Sequence, residues 1–362
     1  MVICWEDGAP SVVYHLMIQA SSRGAAEQAC VVTGGAGFVG SAVVRWALRQ
    51  GYRVLVVDDL SSGKLERLPM AHGHLELRRQ DAAGAGVLAA ALTDSGATRL
   101  LHLAGPVGVR RVLSDPGAAE AQILALGRAV IAELASLPSP RPRLFAASTS
   151  EVYAEQLGPM GEDSPLRAPG GAARWCYALA KRACEERFDR SGLWPEARGP
   201  VHLRLFNVVG PGQDADGGMV LPTFLTHALA GRPLPVHGDG RQERTYGYID
   251  DVAADIGRLV FELDAPPGAL NLGGSAAASA TELAELVLRT VAAEGGPRGQ
   301  LRRVDPAALM EGFAEVQRRE PNLARARALG LGESCRSLNA IVEGTLAALL
   351  PGRKLPCASP GS

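Results

Sequence analysis

The stretch "VVTGGAGFVGSAVV", Val31 to Val44, puts Gly34, Gly35, Gly37 and Gly40 directly after a β-branched run and directly before a helical pattern. Gly34, Gly37 and Gly40 form G-x-x-G-x-x-G at a strand-to-helix junction, with Phe38 and Val39 opening the helix. Glycine allows the tight turn and the close approach of a phosphate. The first N–H groups of the helix, at the positive end of its dipole, then face that phosphate. The spacing points to a dinucleotide pyrophosphate.

The surroundings extend that reading. "YRVLVVDD" is a second buried-strand run ending at Asp58, 18 residues past Gly40, where a carboxylate grips the adenosine ribose hydroxyls. An acid there repels a 2′-phosphate and no arginine follows immediately, so NAD is preferred over NADP. Asp81, after "RRQ", is placed to accept from the adenine amino group. Further on, "TRLLHLAG" and "PRLFAASTS" read as strands, and Ile123, Leu126, Val130, Leu134 and Leu137 as one helical stripe. "YALAKRACEERFDR" reads as a helix and "PVHLRLFNVVG" as a strand. Strands alternating with helices imply βαβ units and an α/β, doubly wound parallel sheet of Rossmann type, whose strands are continuously apolar because both faces are covered.

After Asn207 glycine and proline become frequent ("GPGQDADGG", "GRPLPVHGDGR"), and a helix is expected at 280–293. The expected division is a leader at 1–28, read as disordered, and an NAD-binding domain at 29–206 with a returning segment near 245–262. A smaller substrate-binding lobe follows at 207–350 and a tail at 351–362. Met17 is an alternative start.

Composition limits the function classes. The 362 residues are 47% hydrophobic and 21% charged with net charge −1, which gives no general attraction for nucleic acid or anionic lipid. No apolar run reaches the ~18 residues of a membrane span. Cys4, Cys30, Cys176, Cys184, Cys335 and Cys357 form no C-x-x-C pair and have no histidine cluster beside them. The expectations are no metal, free thiols and a reducing cytoplasm. His102, in "HLAG", reads as a packing residue near the cofactor.

Tyr177 and Lys181 form Y-x-x-x-K on one helix face. A free phenol titrates near ~10 and is a poor base at neutral pH. A neighbouring ammonium and a positive nicotinamide favour the phenolate, which can then take the proton of a sugar hydroxyl.

With these residues in place the chain resembles the extended short-chain dehydrogenase/reductase family of nucleotide-sugar epimerases, dehydratases and decarboxylases. The resemblance rests on "TGGAGFVG", "VVDD", "HLAG", "STSEVY", Tyr177/Lys181, "RLFNVVGPG", "GDGRQERTYGYIDDV" and "NLGG". It implies that Thr149 is the third catalytic hydroxyl. Ser150 is then expected to line the sugar, and Asn207, Arg244 and Arg319 to contact the sugar diphosphate. In "STSEVY", Ser150-Glu151 stands where 4,6-dehydratases of the family usually carry Asp-Glu. The triplet resembles enzymes handling UDP-glucuronic acid, with Glu151 either catalytic or an acceptor for backbone N–H groups.

"ARWCYALAK" is closer to the uronate 4-epimerase pattern. The expected activity is therefore an NAD-dependent 4-epimerase acting through a 4-keto sugar, on a UDP-uronic acid or UDP-hexose. A UDP-glucuronate decarboxylase, a dehydratase and a noncatalytic NAD-binding sensor are the alternatives. Leu124, Ala154, Gly212, His237 and Asn322 depart from common family residues and suggest an unusual substrate. The helices at 118–137 and 175–190 resemble the pair that builds a homodimer in the family, and a core-facing role explains the same stripe.

Overall fold

The computed structural model describes residues 28–170, 173–305, 316–333 and 336–350. The tail at 351–362, the leader except Gln28, and Cys4, Cys335 and Cys357 lie outside the described residues.

The first half of the chain alternates strand and helix. In order come β1 (Ala29–Thr33), α1 (Phe38–Arg49), β2 (Arg53–Val57), β3 (Leu75–Arg78), α2 (Val87–Ser95), β4 (Arg99–His102), α3 (Val109–Ser114), α4 (Pro116–Ser136), β5 (Arg143–Thr149), α5 (Cys176–Asp189) and β6 (Val201–Leu205). The second half holds β7 (Val208–Val209), α6 (Val220–Leu229), β8 (Leu234–His237), β9 (Glu243–Tyr248), α7 (Ile249–Phe261), β10 (Gly268–Leu272), β11 (Ala276–Ser279), α8 (Ala280–Ala293), β12 (Leu301–Val304), β13 (Arg318–Arg319), α9 (Ala324–Ala328) and α10 (Leu338–Leu349).

Seven strands form one parallel sheet in the order β10-β6-β5-β4-β1-β2-β3. Between β1 and β4 the strand order reverses direction along the chain, and ligands of such sheets bind at the carboxyl ends beside that switch. Register aligns those ends: Thr33 lies opposite His102, His102 opposite Ala146, and Thr149 opposite Leu205.

β1 and β2 are apolar and buried almost throughout, as expected where helices cover both faces. Helix α7 returns the chain to the sheet and packs on α1, and β10 then adds beyond β6. The approach of α7 is close because Gly257 faces Trp46: a Cβ there would lie 2.1 Å from the indole ring. Phe261 stacks on Tyr52 at 4.2 Å between centroids, which closes this apolar seam.

Outside the main sheet, β11, β9 and β13 form a small sheet that β7 joins, and β8 pairs with β12. Among the described residues no helix is long and apolar enough to cross a membrane, and no cluster of metal-ligating side chains occurs. Cys30, Cys176 and Cys184 are buried and free.

Candidate active site

The glycine loop begins where β1 ends. Gly34 has φ +70°, and a Cβ there would come within 2.7 Å of the Ala104 nitrogen. A Cβ on Gly40 would sit 2.2 Å from the Gly34 carbonyl oxygen. These two glycines are required by the protein's own packing.

Gly37 differs, since a Cβ there would meet only the Gly34 oxygen, at 3.1 Å. Gly37 is the N-cap of α1, supplies no side-chain cap, and no acid stands in the first turn. The N–H groups of Phe38 and Val39 at this helix start therefore have no intrahelical acceptor, and both residues line a cleft. That arrangement fits a dinucleotide pyrophosphate.

Asp58, just past β2, is buried and lines the same cleft. Its Oδ2 accepts from the Ala36 N–H and its Oδ1 from the Leu60 N–H, each at 2.9 Å. Leu60 adopts φ 61°, a left-handed conformation unusual for leucine. Each carboxylate oxygen retains lone-pair capacity for a ribose hydroxyl. Asp81 stands exposed at the cleft rim, its Oδ1 accepting from the Ala83 N–H at 2.8 Å.

His102 is buried, with Nδ1 2.8 Å from the Thr33 hydroxyl. Burial and then the Lys181 charge lower its pKa to about 3, so the imidazole is neutral at working pH.

Thr149 ends β5, and its hydroxyl accepts from the Glu151 N–H at 3.2 Å, which starts the turn Ser150–Val152. Ser150 is buried in that turn. Tyr177 and Lys181 stand one turn apart on α5. The Lys181 ammonium is buried, donates to the Ala147 carbonyl at 3.0 Å, and lies beside Gly105 in the cleft wall. Burial lowers the Lys181 pKa, while Cys184 and Glu185 raise it. Tyr177 is partly buried. Burial and then the Glu151 charge push its phenol upward. The acidified phenol expected from sequence is thus not produced by these residues alone: desolvation and the Glu151 charge both act against it.

Glu151 is the centre of an arginine cluster. Its Oε1 accepts from Arg319 Nη1 at 3.1 Å, and its Oε2 lies 3.8 Å from Arg174 Nη1. Burial alone would raise the carboxyl pKa, but the charges of Arg319, Arg174 and Arg244 outweigh it and hold the group below its ordinary range. Arg319 stands opposite Arg244 in the β9–β13 pair, which explains how "QERTY" and "RREPN" reach one place. Arg174 and Arg167 both lie over the Trp175 ring, at 4.2 and 3.4 Å.

Asn207 donates from its side-chain amide to the Thr245 carbonyl at 3.1 Å, which ties the β6–β7 link to β9. Sequence reasoning missed Arg174 and, deeper, Glu185 and Arg204. The available signal for Glu185 was the continued four-residue spacing after Tyr177 and Lys181.

A family model described as "NAD dependent epimerase/dehydratase family" matches residues 30–273. A UDP-glucuronic acid decarboxylase 1 of Xenopus tropicalis is 28% identical over 309 residues, which are 83% of this chain and 66% of the relative. The chain thus spans about two thirds of that protein's length. A UDP-glucose 4-epimerase of Mycolicibacterium smegmatis is 30% identical over 75% of this chain and 88% of its own length. A dTDP-glucose 4,6-dehydratase from Streptomyces venezuelae, solved with NAD bound, superposes with TM-score 0.74 at 25% identity, covering 89% of this chain and 97% of that one. With a family model matching residues 30–273 and a Rossmann-type sheet carrying the glycine loop and Asp58 on one cleft, the chain belongs to the NAD-dependent epimerase/dehydratase family, and its cofactor is NAD.

Proposed function

We propose that the chain oxidises C4 of a UDP-uronic acid and uses the resulting ketone to release the C5 carboxylate as CO₂. One observation carries this reading: Glu151 is held ionised by the buried Arg319 and Arg174, with Arg244 adding its charge. An ionised carboxylate cannot protonate a leaving hydroxyl, which speaks against dehydration. Guanidinium forks match carboxylate geometry, so Arg319 is suited to hold a sugar carboxylate as well as Glu151. An anion gripped there resists rotation of the sugar ring, which C4 epimerisation requires and decarboxylation does not.

In this reading Gly34, Gly37, Phe38, Val39, Gly40, Asp58, Asp81 and Lys181 hold the cofactor. NAD, when bound, supplies the hydride acceptor that also returns the hydride at the end, and a positive ring beside the phenol. Tyr177 as phenolate takes the proton of the C4 hydroxyl, and the Thr149 hydroxyl donates to the C4 oxygen. Lys181, tethered to the Ala147 carbonyl, adds positive charge to the same wall. The C4 ketone is β to the carboxylate. The C5–carboxyl bond breaks, its electron pair passes to the C4 oxygen held by Tyr177 and Thr149, CO₂ leaves, and C5 takes up a proton. Ser150, Asn207, Arg244 and Arg319 are proposed to contact the sugar nucleotide.

The second reading, C4 epimerisation, draws on the "ARWCYALAK" spacing and on the Mycolicibacterium relative's name. Incubation of the purified chain with UDP-glucuronic acid and NAD tests both. Loss of CO₂ by mass is the expected result. Unchanged mass with inverted C4 replaces decarboxylation by epimerisation, and NAD binding without turnover of any nucleotide sugar leaves a sensor. We likewise propose a homodimer through α4 and α5, measured by light scattering, and a reducing cytoplasm, in keeping with the free buried thiols.

A further inference from the structure

The Tyr177–Lys181 spacing continues one turn further to Glu185, which is buried. Glu185 is paired with Ser148 and Arg204 and takes no part in the chemistry above. Its Oε1 accepts from the Ser148 hydroxyl and from Arg204 Nε, the latter at 3.1 Å, while its Oε2 accepts from Arg204 Nη2 at 2.7 Å. Ser148 directly precedes Thr149 and lies opposite Arg204 in the β5–β6 register. Helix α5 is therefore tied twice to the last residues of β5, by Lys181 to Ala147 and by Glu185 to Ser148.

The network does not stop at Arg204. Its Nη1 donates to the Glu162 carbonyl at 3.2 Å, and its guanidinium lies 4.9 Å from the centroid of Tyr153. The Tyr153 hydroxyl donates to Asn271 Oδ1 at 2.6 Å, and the Asn271 amide donates to the carbonyls of Met160 and Asn322. Asn322 follows Arg319 by three residues. Buried side-chain bonds thus join the helix that carries Tyr177 and Lys181 to the segment that carries Arg319.

A buried ion pair is a weak source of stability, because desolvation of both charges offsets their attraction. What it supplies here is a fixed distance. The fork of Arg204 on Glu185 is bidentate, so it constrains orientation as well as separation.

We propose that Glu185, clamped by Arg204, is a positioning residue for C4 oxidation: it fixes Tyr177 and Lys181 against Thr149 and, through Tyr153 and Asn271, holds the Arg319 segment in the same frame. The inference rests on the reading of Tyr177 as the base.

Glu185→Gln in the full chain tests it. The variant keeps the length and an acceptor for Ser148 but removes the charge opposite Arg204. The expected result is a kcat lowered about 10- to 100-fold, the scale of an ångström-sized misplacement, with KM for UDP-glucuronic acid and Kd for NAD within about twofold of the parent. Glu185→Asp, which restores the charge on a shorter arm, is expected to recover part of that loss. A folded Glu185→Gln protein with the parent's kcat overturns the proposal, as does a variant whose kcat, KM and NAD affinity all deteriorate together. Where Glu185→Gln fails to fold, Ser148→Ala removes one tie without burying a lone charge. A severalfold lower kcat at constant KM then supports the proposal, and an unchanged kcat overturns it. A parent protein that turns over no nucleotide sugar sinks the assigned chemistry itself. An active parent matched by an equally active Glu185→Gln sinks the positioning role alone.

Discussion

The two ends of the candidate site are built from different materials. The end proposed for the dinucleotide is mostly backbone: the glycine turn leads into the uncapped start of α1, and Asp58 is itself held by the N–H groups of Ala36 and Leu60. The end proposed for the sugar is made of side-chain charge, with Glu151 between Arg319 and Arg174. Backbone dipoles are fixed once the fold forms and do not titrate. Side-chain charges can be moved, swapped or protonated. A cofactor common to the family suits the first material, and a sugar chemistry that differs between its members suits the second.

Tyr177 stands at the seam, and the largest effect is expected there. Tyr177→Phe removes the proton acceptor and keeps the ring, so kcat should fall by about 10³-fold, within the range for loss of a general base, while NAD affinity stays near the parent value. Single-turnover assays and a cofactor titration check the two halves separately. Loss of NAD affinity along with turnover would break the division between the two ends.

His102 sharpens the comparison through pH. Its imidazole is buried against Thr33 with a pKa near 3, against an ordinary value of 6.5. The folded state therefore refuses a proton that the unfolded chain accepts between those values. The contribution is complete above pH 6.5 and is lost as pH falls toward 3, with a slope of about 1.4 kcal/mol per pH unit while one proton separates the states. Denaturant midpoints measured from pH 6.5 to 4 should show it, and His102→Asn should flatten it by about that slope. An unflattened curve would mean that Glu151 and the other carboxylates carry the acid sensitivity.

The difference in material also explains what could be read from the sequence. Local signals sufficed for the first elements: the glycine turn into α1, the apolar run of β2 before Asp58, and the stripe of α4 are written in consecutive residues. Helix α8 covers the expected 280–293, opened by the reciprocal cap of Ser279 and Glu282. Strand β3 was not legible because "LELR" is an edge strand with Glu76 and Arg78 on it, so its apolar signature is half diluted. The return of β10 to the main sheet depends on a pairing with β6, which no local pattern announces. The same holds for the sugar end. Arg204 meets Glu185 only through sheet register, and Arg174 joins Glu151 only once α5 is docked. Glu151 was read with two roles open. Neither of those readings anticipated its pairing with two arginines, for which the residues near it in sequence gave no cue.

The smallest effect tests the backbone end. At Gly40 a new Cβ would strike a carbonyl at 2.2 Å, and at Gly34 the backbone sits at φ +70°, so substitution at either reports on folding. Gly37 separates folding from binding. Its φ of −70° is open to any residue, and its added Cβ would meet one oxygen at 3.1 Å, a contact that a shift of a few tenths of an ångström relieves. Gly37→Ala should therefore fold with Tm close to the parent, while the methyl group crowds the approach of a pyrophosphate to the start of α1 and weakens NAD binding by about 3- to 10-fold, no more than ~1.4 kcal/mol. Calorimetric titration with NAD beside a melting curve resolves the two quantities. A protein that melts early and binds weakly would show that Gly37 serves the chain's own turn, and the contrast drawn between the glycines would reduce to one of degree.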